Sequence, residues 1–404
     1  MIQKLVNLTF LFISLFSINI FAQNQTSDIS EIIILKDSNS YTKKMELINK
    51  AKNRVWMSTM VFDCSPTSRT FFDQLIQKQK VEKIDVRIIA ESVYVESASN
   101  SCFDYLIKNQ IKIIQVADHL KKDGEIARMM HQKYLIVDND EIVMGGLNFT
   151  RFNNEANEIN QYNRDTDVYL KSNRLVNTLI GEFTFNWNTF SKENKIKPEL
   201  SQSNLNDQLS CRIVIENPRR NKKEIEQFLA TSITDVKSTL KMYSPDVEMG
   251  KNPILPLLIN RIRSGLKYEL IRHGENELAN ENSMYLDYRT KANLANGNKA
   301  AAAMTEAARK VATSNANATT RKQLKALKKS LGDQITVYDY PRYSHSKIFI
   351  FDDQVGLIGS LNFNDQSLNT NYEIGFACDD SRFIKQLLDL YQEDIKVSKQ
   401  VSPF

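Results

Sequence analysis

Cysteine and histidine are both scarce in this chain, and each occurs only four times in 404 residues. The cysteines are Cys64, Cys102, Cys211 and Cys378, and their spacing matches no zinc-binding pattern, which argues against a zinc-ribbon or zinc-finger protein. Cys64 and Cys102 lie in the same half of the chain, so they are the first candidates for a disulfide. Four unpaired thiols are the alternative.

A strong net charge is also missing. Lysine and arginine number 53 against 48 acidic residues, a formal charge of +5. So mild an excess suits a phosphate-bearing partner but does not require one, because many ordinary proteins carry it. Charge alone therefore selects no class of function.

Long apolar runs are absent beyond the N-terminus. There, Lys4 precedes an apolar run over residues 5–21, and Ala22 stands before a polar stretch. This order is typical of a secretory signal peptide, so we expect residues 1–22 to be removed and the protein to be exported, as a periplasmic or secreted protein. An uncleaved N-terminal membrane anchor is the alternative. No cysteine follows the cleavage point, so a lipoprotein is not indicated.

Strand-like and helix-like segments alternate along the rest of the chain, which predicts an α/β fold in which helices cover a mostly buried sheet. A polar, lysine- and asparagine-rich stretch divides the pattern into two similar halves. We therefore expect a first lobe over 23–195, a linker over 196–210 and a second lobe over 211–404. The predicted strands cover residues 55–62, 86–90, 111–116, 134–137, 142–144, 166–170, 239–243, 268–271, 335–338, 347–351, 355–358 and 373–377.

The second half carries one addition, residues 285–331. It is rich in alanine and predicts helix, and between Arg289 and Lys329 it contains ten basic residues but only one acidic residue, Glu306. It is either a solvated helical surface or a basic flap that meets anionic lipid or a nucleic-acid backbone.

The clearest pattern is a short motif that occurs twice in the same register. Each copy has a histidine, a lysine two positions later, an aspartate, and a tail that ends in asparagine. The first copy comprises His131, Lys133, Asp138, Gly145, Gly146 and Asn148, and the second comprises His345, Lys347, Asp352, Gly359, Ser360 and Asn362. Two of the four histidines fall in it, so chance is a poor explanation. The other two, His119 and His273, and the tryptophans, Trp56 and Trp187, are expected in packing or surface roles.

The residue types suit phosphate chemistry. In a strand, residues two apart point to the same face, so each histidine projects together with its lysine. The glycines of the tail remove side-chain bulk, which lets the asparagine amide and backbone N–H groups approach a ligand. Two such sets that face each other would surround one tetrahedral phosphate with positive charge and donors.

These motifs resemble the signature of the phospholipase D superfamily, and the resemblance covers nearly the whole chain after residue 22. Segments 163–166, 185–187 and 368–373 look most like the bacterial cardiolipin synthase branch. That branch carries Arg-Ser where this chain has Gln366-Ser367 after Asp365. The resemblance implies two pseudo-symmetric α/β sandwich lobes that share one central active site, with the helical insertion in the second lobe.

The resemblance also implies a role for each motif residue. One histidine forms a phosphohistidine and the other protonates the leaving alcohol; we assign His131 to the first role and His345 to the second, although the sequence is symmetric. Lys133, Lys347, Asn148 and Asn362 would hold the phosphate oxygens. Glu373 is the candidate carboxylate for either histidine, and Asp165, or else Glu158, for the other. Asp138 and Asp352 are expected to anchor the local fold by ion pairing. No metal ion or cofactor is expected.

Four functions stay open at this point. The favoured one is a phosphodiesterase that hydrolyses or transfers phospholipid headgroups. The alternatives are a cardiolipin synthase-type phosphatidyltransferase, a metal-independent nuclease, and a phosphate-binding module without activity. The expected partners are a phospholipid or another phosphodiester, with an anionic membrane surface or nucleic acid as further candidates. Because both motifs lie in one chain, a monomer is expected.

Overall fold

Two β-sheets with the same strand order form the framework of the protein. A computed structural model describes residues 28–92, 100–122, 125–150, 163–192, 195–197, 210–245, 252–274 and 334–401, and scattered positions between 297 and 329. In the first half the strands are β1 (Glu31–Lys36), β2 (Arg54–Thr59), β3 (Asp85–Glu91), β4 (Lys112–Val116), β5 (Leu120–Lys122), β6 (Glu125–Ala127), β7 (Tyr134–Val137), β8 (Glu141–Gly145) and β9 (Thr166–Lys171). In the second half they are β10 (Arg212–Asn217), β11 (Lys222–Lys223), β12 (Thr239–Tyr243), β13 (Lys267–His273), β14 (Ile335–Tyr340), β15 (Ile348–Phe351), β16 (Val355–Gly359), β17 (Glu373–Cys378) and β18 (Lys399–Val401).

The strand orders reveal the pseudo-symmetry. The first sheet runs β1-β9-β8-β7-β2-β3-β4, and the second contains the matching series β10-β17-β16-β15-β12-β13-β14, with β11 and β18 added at its edges. In each series the last three strands are parallel and the others pair antiparallel. The strands β5 and β6 form a separate hairpin. The predicted fold of two related α/β lobes is confirmed.

Helices cover both outer faces and fill the space between the sheets. They are α1 (Ser38–Lys50), α2 (Pro66–Val81), α3 (Asn100–Lys108), α4 (Asn173–Phe190), α5 (Glu224–Asp235), α6 (Leu255–Arg263), α7 (Asp365–Asn369) and α8 (Ser381–Val397). The first three helices pack on the outer face of the first sheet, and α5 and α6 pack on the outer face of the second. The inner faces of both sheets share one apolar core with α4 and α8. The lobes are therefore joined through a common interior.

Helix α4 shows how the sequence produces this layer. The Ser172 hydroxyl accepts a hydrogen bond from the backbone N–H of Leu175 and so caps the first turn. Leu179, Phe183 and Trp187 follow at intervals of four, and all are buried. Each such side chain contributes roughly 1.5–3 kcal/mol when it leaves water. The stripe is wide because α4 contacts both sheets.

Several boundaries differ from those predicted. Strand β2 ends at Thr59, not at residue 62, and β15 begins at Ile348, after Lys347. The sequence pattern did not predict several elements, namely β1, β5, β6, β10, β11, β18, α1, α3, α5 and α7. Cys64 pairs with Cys102, as expected, and Cys211 pairs with Cys378 across the second lobe.

Some predictions lie outside the described residues. These are the signal peptide over 1–22, Glu158, most of the linker over 196–210, and the insertion over 285–331 apart from isolated positions.

Candidate active site

The two motif segments lie at the centre of the molecule, where the lobes meet. Each precedes a central strand: His131 and Lys133 come just before β7, and His345 and Lys347 come just before β15. Two short parallel bridges cross between the lobes there, one between Met130 and Tyr372 and the other between Arg164 and Ser344. The pseudo-symmetry therefore places both histidines at one interface.

Backbone hydrogen bonds fix these crossings. The N–H of His131 donates to the carbonyl of Tyr372 at 3.0 Å, and the N–H of His345 donates to the carbonyl of Arg164 at 2.8 Å. Tyr372 immediately precedes Glu373, and Arg164 immediately precedes Asp165. Each histidine is thus laid beside the acidic residue of the opposite lobe.

The carboxylates complete two dyads that cross the interface. The Nδ1 atom of His131 lies 2.8 Å from Glu373 Oε2, and Nδ1 of His345 lies 2.6 Å from Asp165 Oδ2. Both carboxylates are fully buried. The sequence left the pairing open; the structure pairs Glu373 with His131 and Asp165 with His345.

Electrostatics favours neutral imidazoles in these dyads. Burial lowers the pKa of His131 and lowers the pKa of His345 to about 4, because water no longer stabilises the cation. Burial alone would raise the pKa of Glu373 and of Asp165, but the adjacent histidine and lysine charges and the hydrogen bonds outweigh it and hold both below their ordinary values. A neutral imidazole that donates Nδ1–H to its carboxylate carries its lone pair on Nε2.

The lysines share the site and are equally buried. Nζ of Lys133 donates to the carbonyl of His131 at 2.7 Å, and Nζ of Lys347 donates to the carbonyl of His345 at 2.6 Å. Burial lowers the pKa of Lys133 to about 7, although the charge of Glu373 opposes the shift. An anion bound beside this ammonium would stabilise its charged form.

The asparagines of the motif tails follow β8 and β16. Oδ1 of Asn148 and Oδ1 of Asn362 are buried, and neither accepts a hydrogen bond from any residue that the structure describes. A buried polar atom without a partner is uncommon in proteins. Because the oxygen and nitrogen of such an amide can exchange by a flip, each side chain could offer its donors to a ligand.

The tail glycines make room for a carboxylate in the first lobe and for the neighbouring strand in the second. A Cβ atom on Gly146 would lie 2.2 Å from Asp165 Oδ1, and one on Gly359 would lie 2.3 Å from the carbonyl oxygen of Ile374. At the position equivalent to Gly146, Ser360 instead donates its hydroxyl to Glu373, which also accepts from Ser367 Oγ at 2.7 Å. The role of Ser367 was not predicted from the sequence. Ser360, the serine of the second motif tail, was the only residue that indicated a different set of hydrogen bonds to the carboxylate in this half.

The motif aspartates are structural, but not by ion pairing as expected. Asp138 accepts backbone N–H bonds from residues 52–54, and Asp352 accepts them from residues 237–239. Burial alone would raise the pKa of Asp352, but these hydrogen bonds outweigh it and lower that pKa to about 2. Both residues have φ of 50°, the left-handed region that aspartate tolerates in turns. They tie the end of one central strand to the start of its neighbour.

The remaining histidines and the tryptophans lie outside the dyads. His119 hydrogen-bonds to Ser92 at 2.8 Å, and His273 is buried and stacks on Tyr343 with ring centroids 4.8 Å apart. Trp56 and Trp187 are buried core residues, as expected.

Comparisons with known proteins agree with this geometry. The family described as "Cardiolipin synthase, PLD-like domain" matches residues 45–187 and 229–395. The chain is 20% identical over 361 residues to the cardiolipin synthase of Listeria welshimeri, covering 88% of this chain and 67% of that one. It is 19% identical over 381 residues to the major cardiolipin synthase ClsA of Bacillus subtilis, covering 93% and 70%. A solved phosphatidylserine synthase from Haemophilus influenzae has the same fold, with a TM-score of 0.68 at 13% identity, covering 92% of this chain and 87% of that one.

These matches correct the predicted localisation. We expected an exported, periplasmic or secreted enzyme, and that expectation is wrong. The relatives that cover most of the chain are synthases of cardiolipin, a membrane phospholipid, so an apolar N-terminal run is not by itself evidence of secretion. Among the described residues, no helix is both long and apolar enough to cross a bilayer.

Both matched segments of the family contain one complete motif, and together they cover most of the chain. The two motif histidines meet at one interface, as a shared site requires. The chain therefore belongs to the cardiolipin synthase, PLD-like domain family and is a phosphatidyltransferase-type enzyme of the phospholipase D superfamily.

Proposed function

We propose that this enzyme transfers the phosphatidyl group of a phospholipid to an alcohol, as in cardiolipin synthesis, and hydrolyses the same bond when water replaces the alcohol. The pair of imidazole–carboxylate dyads that cross between the lobes carries the proposal. The names of the relatives favour transfer over hydrolysis as the main reaction.

In the first step, His131 is the nucleophile. Its Nε2 lone pair attacks phosphorus, the phosphorus–oxygen bond to the headgroup alcohol breaks, and His345 gives that oxygen a proton. His345 must therefore be protonated when substrate is bound. The diester brings a negative charge into a buried site, which favours the protonated forms of both His345 and Lys133 over their neutral forms.

In the second step, an acceptor alcohol attacks the phosphohistidine. His345 takes the proton of the alcohol as its oxygen bonds to phosphorus, and the bond from phosphorus to His131 Nε2 breaks. Glu373 and Asp165 keep each imidazole in the tautomer that these transfers need, as the aspartate does in a serine protease triad. Lys133, Lys347, Asn148 and Asn362 hold the non-bridging oxygens, where negative charge develops.

One chain supplies both dyads, so a monomer is sufficient for activity. We propose lobes over 23–195 and 211–404 with a linker over 196–210, and a basic insertion over 285–331 that meets the anionic surface of a membrane. This surface would bring the chain to its lipid substrate.

The test uses purified protein in EDTA with vesicles of phosphatidylglycerol, and supercoiled plasmid in a parallel reaction. We expect cardiolipin and free glycerol from the vesicles, measured by mass spectrometry. Phosphatidic acid without cardiolipin would assign hydrolysis as the main reaction, and nicked plasmid with inert vesicles would overturn the lipid assignment.

Two variants test the shared site. His131→Ala and His345→Ala should each abolish turnover almost completely, because the two residues act as one unit. Rates near those of the parent enzyme in either variant would contradict the mechanism.

A further inference from the structure

A buried polar cluster lies directly behind the first motif. Gln132 stands between His131 and Lys133, and because side chains alternate along an extended segment, it points away from them. Its side chain reaches helix α4, where Glu182 and Asn186 are as deeply buried as Gln132 itself. The proposed mechanism gives these residues no part.

The carboxylate of Glu182 is the centre of this cluster. It accepts hydrogen bonds from Gln132 Nε2 at 3.2 Å, Asn186 Nδ2 at 3.1 Å, Asn217 Nδ2 at 2.6 Å and Arg220 Nη1 at 2.9 Å. Asn217 and Arg220 belong to the second lobe. Removing a carboxylate from water costs several kcal/mol, and here four donors from two lobes are needed to offset that cost. An apolar side chain could fill the same space without them.

The other lobe fills the equivalent site in just that apolar way. Helices α4 and α8 correspond, and the tenth residue is Glu182 in α4 but Leu390 in α8. The counterpart of Gln132 is Ser346, which makes one hydrogen bond, with Thr166 Oγ1 at 2.8 Å. Helix α8 does carry a buried carboxylate, Asp394, but it lies one turn further along, and its donors are Arg164 and Tyr243, not the motif segment. The fold therefore does not need a carboxylate at the position of Glu182 itself.

The amide of Gln132 also reaches the partner of His131. Its Nε2 lies 3.4 Å from the backbone carbonyl oxygen of Glu373, and its Oε1 accepts from Asn186 Nδ2 at 3.2 Å. One side chain thus links the segment that carries His131 and Lys133 to the backbone of the residue that orients His131. Fixing Gln132 fixes the rotation of the segment about its own axis, and with it the direction of both neighbours.

We propose that Glu182, acting through Gln132, is a positioning residue that holds His131 and Lys133 in register with Glu373 across the lobe interface. The inference rests on the proposed function, because it concerns the same phosphate site. A misplacement of about 1 Å at a reacting group can lower a rate by about 100-fold. The cluster therefore acts on the chemical step more than on substrate binding.

The test compares Gln132→Met, Glu182→Gln and the double variant, with Glu393→Gln as a matched control that makes the same change at an exposed carboxylate of the corresponding helix α8. Turnover is measured with phosphatidylglycerol vesicles and with bis(p-nitrophenyl) phosphate, a small chromogenic diester. We expect each single variant to lower kcat about 10- to 100-fold with little change in KM. The double variant should be no worse than the poorer single one, since both act through one contact. Glu393→Gln should stay close to the parent.

A spectroscopic measurement separates positioning from a merely structural role. The proton between His131 Nδ1 and Glu373 gives a downfield NMR signal, assigned by its loss in Glu373→Gln, and we expect it to shift or broaden in Gln132→Met. An unchanged signal with kcat within twofold of the parent would overturn the proposal, as would losses that multiply in the double variant.

These measurements distinguish a failure of the proposed lipid function from a failure of the positioning role of Glu182. If the parent cleaves the small diester but no phospholipid, the lipid function fails while the positioning test still runs. If it cleaves neither, the NMR signal still decides. Should Glu182→Gln not fold, Gln132→Met alone carries the test.

Discussion

Lys133 should lower the free energy of unfolding of the protein. Its side chain is almost completely buried, and burial lowers its pKa from the ordinary 10.5 to about 7. Lowering the pKa from 10.5 to about 7 corresponds to about 5 kcal/mol against the charged form in the folded state. Replacing Lys133 with methionine removes that penalty and one hydrogen bond, to the carbonyl of His131, worth about 1 kcal/mol. We therefore expect Lys133→Met to abolish activity and to raise the free energy of unfolding by about 4 kcal/mol at pH 6.

The stability gained by Lys133→Met should decrease as the pH rises. An unfolded chain keeps the lysine proton up to about pH 10.5, whereas the folded protein releases it near pH 7. Between these values the unfolded state binds more protons, so this residue makes the parent more stable as the pH rises. The advantage of Lys133→Met should be fully present below pH 7 and should shrink towards pH 10.

Urea unfolding, followed by the fluorescence of the two buried tryptophans, measures the difference at pH 6 and pH 9.5. Lys44→Met is the matched control. Lys44 is buried too, but its Nζ lies 2.8 Å from the buried carboxylate of Asp167, so its loss leaves an unpaired charge and should destabilise by about 3–5 kcal/mol. A Lys133→Met variant that is destabilised like Lys44→Met, or whose stability relative to the parent is the same at both pH values, would contradict this expectation.

Two further predictions concern pH. The ratio kcat/KM should fall more steeply as the pH rises through about 7, because free enzyme, which already has to gain a proton on His345 above about pH 4, then also loses the Lys133 ammonium that receives the phosphate. A pH–rate profile that stays flat from pH 6 to 9 would contradict this. Asp352→Ala should destabilise the protein at neutral pH, because it removes the acceptor of three backbone N–H groups. In the parent that contribution is present above the ordinary pKa of 3.8 and is lost as the pH falls through about 2, so the stabilities of parent and variant should converge in acid.

The repeated motif was enough to predict the shared site, but not which carboxylate pairs with which histidine. The family resemblance implied Glu373, and Asp165 or else Glu158, as the carboxylates, and it could not say which histidine each would meet. That choice depends on the two parallel bridges between the lobes, which join segments far apart in the chain. Such contacts leave no mark on local periodicity.

The cluster around Glu182 was hidden for a related reason. A glutamate in an amphipathic helix usually faces solvent, and the pattern of α4 gives no sign that a second sheet covers its polar side. Strand β1, with the sequence EIIILK, is a short apolar run, a kind that periodicity does not distinguish from a buried helical segment. The Glu182 cluster became visible only when the second lobe was in place, and β1 only when it was paired with β9 of its own sheet.

The two halves also differ in a way that suggests matched pairs of residues. A Cβ atom on residue 146 would lie 2.2 Å from Asp165 Oδ1, which is too close, so the short aspartate requires Gly146. At the equivalent position Ser360 has a Cβ atom, which keeps the carboxylate of the neighbouring strand at a greater distance. The extra methylene of Glu373 spans that distance, and Ser360 Oγ donates a hydrogen bond to the Glu373 carboxylate. Gly146→Ser alone should displace Asp165 and lower kcat about 100-fold, as a misplaced catalytic group does. Adding Asp165→Glu should restore much of the loss, because the pair then copies the other lobe. A double-mutant cycle on kcat measures the coupling, and simple multiplication of the two single losses would show that the residues are not matched.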